Sequence, residues 1–147
     1  MDEAPPTLDE LLREAADRIQ RLSPVDAFAA ARAGALLVDI RSELARGRDG
    51  VLPGAIHVPR TVLEWRFEPE GSWRNPHVGD LERQVIVLCE HGYSSLLAAA
   101  TLARLGYTRA CDVVGGFEAW REAGLPTSQE PATSAGADAP AGMSGPD

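Results

Sequence analysis

The sequence predicts an α/β fold built on a mostly parallel sheet with helices on both faces. Three observations carry this. Two short apolar runs, Ala35-Leu36-Leu37-Val38-Asp39-Ile40 and Val85-Ile86-Val87-Leu88-Cys89, have the length and β-branched content of strands buried on both sides. Around them lie amphipathic or alanine-rich stretches that stop at glycines, as helices do. The chain has 147 residues, 44% of them hydrophobic, which suits one domain with a single core.

The elements follow in order. Thr7-Leu8-Asp9-Glu10 fits a capping box, and Leu8, Leu11, Leu12 and Ala15 then share one helical face. Ile19 to Leu22 either prolongs that helix or forms a short edge strand. Ser23-Pro24 restarts the chain as N-cap and N1 proline of a helix, Val25 to Ala33, that Gly34 stops. After the strand at 35–40, Arg41 to Gly50 is charged and glycine-punctuated and reads as a surface loop. Val51 to Gly54 is a turn, Ala55 to Val58 a short strand ended by Pro59, and Thr61 to Arg66 one or two helical turns. Glu68 to Asp80 is a loop. The strand ending at Cys89 leads through one glycine and two serines into a helix, Leu96 to Leu105, stopped by Gly106. Ala110 to Val114 is the last strand, Gly115-Gly116 a turn, and Phe117 to Ala123 the last helix. The expected organisation is an N-terminal extension with an amphipathic helix (1–18), a folded domain (19–126) and a disordered tail (127–147) of Ala, Gly, Pro, Ser and Thr.

The formal net charge of −8 and pI of about 4.8 argue against a nucleic-acid partner and against docking on an anionic membrane. No segment has the length and apolarity of a bilayer span, and the N-terminus lacks the basic and apolar regions of a signal peptide. The expected compartment is therefore the cytoplasm, where two cysteines stay reduced.

The chemistry is concentrated in Cys89-Glu90-His91-Gly92-Tyr93-Ser94-Ser95. In a parallel sheet, sites lie beyond the carboxyl ends of strands, and Cys89 occupies such an end. The loop amides and the following helix N-terminus can converge on one anion. A thiol there falls from about 8.5 toward roughly 3.5–7.5 and becomes a nucleophile at neutral pH. The same amides can hold a persulfide anion, with no metal or organic cofactor required.

These residues resemble the active-site loop of single-domain rhodanese sulfurtransferases. Three further segments agree in order and spacing: Leu37-Val38-Asp39-Ile40-Arg41, Gly50 to Pro59, and Gly115-Gly116-Phe117-Glu118-Ala119-Trp120 with Gly124-Leu125-Pro126. The resemblance spans roughly Ile19 to Pro126. It implies a rhodanese-like, five-stranded sheet and a double displacement, in which Cys89 takes a sulfane sulfur from a donor such as thiosulfate and passes it to a thiol or cyanide. An acceptor protein is a further option. By the same resemblance Glu90, His91, Gly92, Tyr93, Ser94 and Ser95 form the substrate cradle, and Asp39 and Arg41 brace it. Many family members carry a basic residue in this loop; this chain has none there, and Glu90 adds a like charge. Arg60 and Arg66, just past the third strand, are the expected substitutes for donor recognition.

Blander readings stand beside these. Cys111, inside the last strand, is expected to be an inert packing residue, too far from Cys89 to bridge to it. His91 shapes the loop or faces solvent, and His57 is a hydrogen-bonded structural residue. Two other functions compete. A phosphatase or arsenate reductase needs an arginine six positions after the cysteine, where this chain has Ser95. A non-enzymatic module would bind a partner protein, a role that does not need the thiol, or would sense oxidant through Cys89 sulfenylation.

Overall fold

The computed structural model describes residues 4–129. Five strands and six α-helices follow one another as α1 (Leu8–Arg18), β1 (Gln20–Leu22), α2 (Pro24–Arg32), β2 (Leu36–Asp39), α3 (Glu43–Asp49), β3 (Ile56–His57), α4 (Leu63–Phe67), β4 (Val85–Leu88), α5 (Ser94–Arg104), β5 (Ala110–Val113) and α6 (Gly116–Glu122), with a 3-10 turn at Arg60–Val62 before α4. The strands form one sheet in the order β1-β5-β4-β2-β3, and every pairing is parallel.

Alternation along the strands divides the core. Leu36, Val38, Val85 and Val87 face one way and pack with Leu63 and Phe67 of α4 and Ala98, Ala99 and Leu102 of α5. Leu37, Ile86 and Leu88 face the other way and meet Ala27 of α2 and Phe117 and Trp120 of α6. Cys89 keeps the parity of Val85 and Val87, so its side chain lies on the α4–α5 side. Helix α1 adds a further layer, with Ala15 against Leu96 and Ala100 of α5.

Local chemistry explains the boundaries. The Thr7–Glu10 capping box forms with both hydrogen bonds, at 3.1 and 2.8 Å. Ser23 caps α2, with Pro24 at its first position. The choice at Ile19–Leu22 resolves as a strand: α1 ends at Arg18, and Gln20, Arg21 and Leu22 pair with Cys111, Asp112 and Val113.

One expectation is overturned. The stretch read as a loop at 41–50 contains α3. Ser42 caps it by accepting from the Ala45 amide at 3.1 Å, Glu43 suits its positive end, and Arg46 and Arg48 suit its negative end. Helix α5 starts at Ser94, two residues before the expected Leu96. Of the expected tail, residues 130–147 lie outside the described residues; within it, Ser128 forms an isolated antiparallel bridge with Val51.

Candidate active site

Strand β4 delivers Cys89 to the carboxyl edge of the sheet, beside the start of α5. Cys89 Sγ accepts the Gly92 amide at 3.1 Å and the Ser95 amide at 3.3 Å. Helix α5 has no side-chain cap of its own at Tyr93. The sulfur fills that place, because an N-cap acceptor ordinarily takes the amide of the second or third helical residue, and Ser95 is the second. An anionic sulfur therefore completes a helix terminus.

Cys89 is only 4% exposed. Burial, the largest single influence, pushes its pKa up; the hydroxyls of Ser94 and Ser95 and the amides of Ser95 and Gly92 push it down and prevail, leaving it below the ordinary thiol value. One of those donors is shared. Ser95 Oγ donates to Asp112 Oδ2 at 2.8 Å, and a hydroxyl has a single proton to give. With that proton on a buried carboxylate, the steady hydrogen bonds to sulfur are those of the two amides.

The carbonyl side of the loop is held from α6. The Phe117 amide donates to Cys89 O at 2.8 Å and the Glu118 amide to Glu90 O at 3.1 Å. This requires backbone against backbone. A Cβ on Gly116 would lie 2.4 Å from Cys89 O, and one on Gly92 would lie 2.5 Å from Gly115 N; both glycines also have positive φ, +62° and +89°.

Asp39 and Arg41 form the expected brace. Asp39 is fully buried, and its Oδ1 accepts the Arg41 amide at 3.0 Å and Nε at 3.1 Å, while Oδ2 accepts Arg41 Nη2 at 2.9 Å and Arg46 Nε at 3.2 Å. Arg41 also reaches Gly50 O at 2.7 Å and Glu90 Oε1 at 3.4 Å, and its guanidinium carbon stacks 3.9 Å above the Phe117 ring. Glu90 thus shares the Arg41 cation with Asp39, which holds it more closely. His57 Nε2 lies 2.7 Å from Arg41 O and donates to it, since a carbonyl only accepts.

Residues 23–123 match the rhodanese-like domain family. The chain belongs to that family. It is 37% identical to the thiosulfate sulfurtransferase GlpE of Pseudomonas entomophila over 103 residues, covering 69% of this chain and 84% of the relative. Among solved structures it is similar to a protein of unknown function, described as a possible tyrosine phosphatase, from Rhodopseudomonas palustris (TM-score 0.78, 30% identity, 87% and 98% of the two chains). It is also similar to a polysulfide-sulfur transferase homodimer from Wolinella succinogenes (TM-score 0.66, 26% identity, 82% and 86%).

The other expected site residues of this rhodanese-like chain divide. His91 and Tyr93 are exposed on the loop, His91 Nδ1 standing 3.8 Å from Glu118 Oε1. Arg60 is half-exposed, and its Nη1 sits between both carboxylate oxygens of Glu64 at 3.0 and 3.1 Å. Arg66 is corrected: it is 6% exposed, and Nη1 donates to the Trp73 carbonyl at 2.7 Å. A guanidinium turned inward to hold the 68–80 loop does not greet an anion arriving from solvent.

Two residues were missed. Arg21 and Asp112 face each other across the β1–β5 pairing, with Nε to Oδ1 at 2.8 Å and Nη2 to Oδ2 at 2.9 Å. Arg21 Nη2 also reaches Gly92 O at 2.7 Å. One local signal pointed here: Asp112 is a lone charge in an otherwise apolar strand buried on both faces, and such a charge requires a partner.

Proposed function

We propose that the protein is a sulfane-sulfur transferase of the thiosulfate sulfurtransferase type, with Cys89 as nucleophile and sulfur carrier. The Cys89 thiolate attacks the outer sulfur of thiosulfate. The S–S bond to the sulfonate breaks, sulfite leaves with its electron pair, and a Cys89 persulfide remains. A thiolate or cyanide then attacks the outer persulfide sulfur, and the Cys89 thiolate departs with its electron pair. The reactants are a small anionic donor and a thiophilic acceptor, and the residues of the reaction are Cys89 with the cradle Glu90 to Ser95. Residues 19–126 are the catalytic unit. Near-burial of Cys89 suits a slim terminal sulfur and disfavours a bulky donor.

The observation that carries this reading is the pair of amides, Gly92 and Ser95, on Cys89 Sγ at a strand end and helix start. Both cysteines are free, which suits a reducing compartment such as the cytoplasm, and among the described residues no helix is long and apolar enough to cross a membrane. Phosphate-ester hydrolysis is disfavoured. Ser95 stands where that chemistry needs an arginine to grip a tetrahedral oxyanion with two hydrogen bonds.

The test is mass spectrometry of the intact protein after incubation with thiosulfate. One added sulfur on Cys89, removed by cyanide as thiocyanate, is expected. No added sulfur from thiosulfate, polysulfide or glutathione persulfide would overturn the assignment.

A further inference from the structure

We propose that Arg21, paired with Asp112, is the positioning residue that takes the place of the basic side chain missing from the Cys89 loop. It fixes the loop at Gly92 and sets a positive charge beside the sulfur. The inference rests on the sulfur-transfer reading above and deepens it.

The geometry is specific. Two residues give their amides to Cys89 Sγ, Gly92 and Ser95. Those same two are held by the two halves of one ion pair. Arg21 Nη2 donates to the Gly92 carbonyl at 2.7 Å, and Asp112 Oδ2 accepts from Ser95 Oγ at 2.8 Å. The pair is a fork-to-fork contact between neighbouring strands in register. Asp112 is fully buried, and the Arg21 side chain is 29% exposed, at the boundary between sheet and solvent. Arg21 Nη1 has no protein partner among the hydrogen bonds of the described residues, so part of the guanidinium remains for an anion. The hydrogen bond to Asp112 chiefly, and the charge of Asp112 besides, hold Arg21 more firmly protonated than usual, against an opposing effect of burial.

Other charged groups near the sulfur are accounted for. From the loop come Glu90, His91 and Tyr93; Glu90 is met by Arg41 from the end of β2, and His91 stands near Glu118 of α6 at an exposed, screened position. Arg21 from β1 and Asp112 from β5 remain as the pair coupled to both cradle residues.

A buried ion pair can also be purely structural, and the two roles differ in sign. Loss of structure moves the thiol in one direction whichever partner is removed. Loss of charge moves it in opposite directions. The experiment is the pH dependence of Cys89 alkylation by iodoacetamide in the full chain, read by peptide mass spectrometry. In R21Q the midpoint rises by about one unit, the lower end of the roughly 1–3 units for a nearby opposite charge, because Arg21 is partly solvated. In D112N it falls. The double variant R21Q/D112N, which leaves neither charge buried alone, returns to within a few tenths of a unit of the wild type, and R21K recovers most of the R21Q shift. The KM for thiosulfate rises several-fold in R21Q, with a smaller change in kcat. Midpoints that move the same way in R21Q and D112N, or that do not move in R21Q, overturn the proposal. Alkylation involves no sulfur transfer, so a wild type that accepts no sulfur defeats the transfer reading while Arg21 is still tested.

Discussion

Cys89 and Cys111 stand on neighbouring strands of one sheet and are almost equally buried, at 4% and 1%. Their sulfurs are nevertheless opposites. Cys111 is paired with Ile86, so Cys89, the residue just past the end of β4, lies three positions further along, roughly 10 Å away in the strand direction. They also point to opposite faces, Cys89 among the α4–α5 core and Cys111 among the α2–α6 core. Around Cys89 the nearest polar atoms are amide hydrogens. Around Cys111 the sulfur faces Gln20 Oε1 and Arg109 O as acceptors, with Gln84 Nε2 as donor at 3.4 Å. Burial pushes the Cys111 thiol up and the Gln84 contact only partly offsets it. Depth therefore does not make a cysteine reactive or inert. The polarity of the atoms aimed at it does, and the carboxyl edge of a parallel sheet is where amide hydrogens collect.

The largest test of this contrast is exchange of each cysteine. Cys89→Ser lowers sulfur transfer at least ~10³-fold while the melting temperature changes little, because the nucleophile is lost and the fold is not. Cys111→Ala leaves kcat/KM within about two-fold and costs about 1–2 kcal/mol of stability from the small cavity. Steady-state assays and thermal melts of both variants check this. Equal loss of activity in the two would erase the distinction. Next in size is labelling: at pH 7, iodoacetamide modifies Cys89 at least ~10²-fold faster than Cys111 in the folded protein, and at similar rates in urea.

Third is the backbone that holds the reactive end. Gly116→Ala places a Cβ against the Cys89 and Glu90 carbonyl oxygens, at 2.4 and 2.7 Å, in a left-handed backbone. Either the α6 turn or the Cys89 loop must shift. We expect a loss of about 2–4 kcal/mol in denaturant unfolding, with a slower Cys89 labelling rate in the fraction that folds.

How much of this was legible in the sequence depends on whether the signal was local. Val85 to Leu88 could hardly be misread: four apolar residues before a cysteine and a glycine loop have few other uses, and the carboxyl-end rule then placed the sulfur. The Asp39–Arg41 brace was legible because the two residues are on one short segment. Helix α3 was not, because its charges and Gly47 mask a capped helix of seven residues whose inward Arg46 is invisible to a hydrophobic pattern. Arg21 and Asp112 meet only through the β1–β5 register, 91 positions apart. Arg66 misled for the reverse reason: proximity in sequence to the mouth said nothing of which way the side chain turned.

The smallest effect sharpens the comparison through alkaline stability. Cys111 has its folded pKa raised, so its contribution is full below the ordinary thiol value of about 8.5 and is lost as pH rises above it. Cys89 has its folded pKa lowered, so its contribution is present above about 8.5 and is lost as pH falls through the lower, folded value. Around the ordinary thiol value of about 8.5 the two oppose each other. Tyr107, pushed up to about 12 chiefly by burial, adds its own loss only above about 10. Below that point the melting temperature of Cys111→Ala falls less with rising pH than that of the wild type, and that of Cys89→Ser falls more. The differences are about 2 °C or less, within reach of scanning calorimetry. Parallel curves for the two variants would mean that the sulfurs share one environment, contrary to the atoms around them.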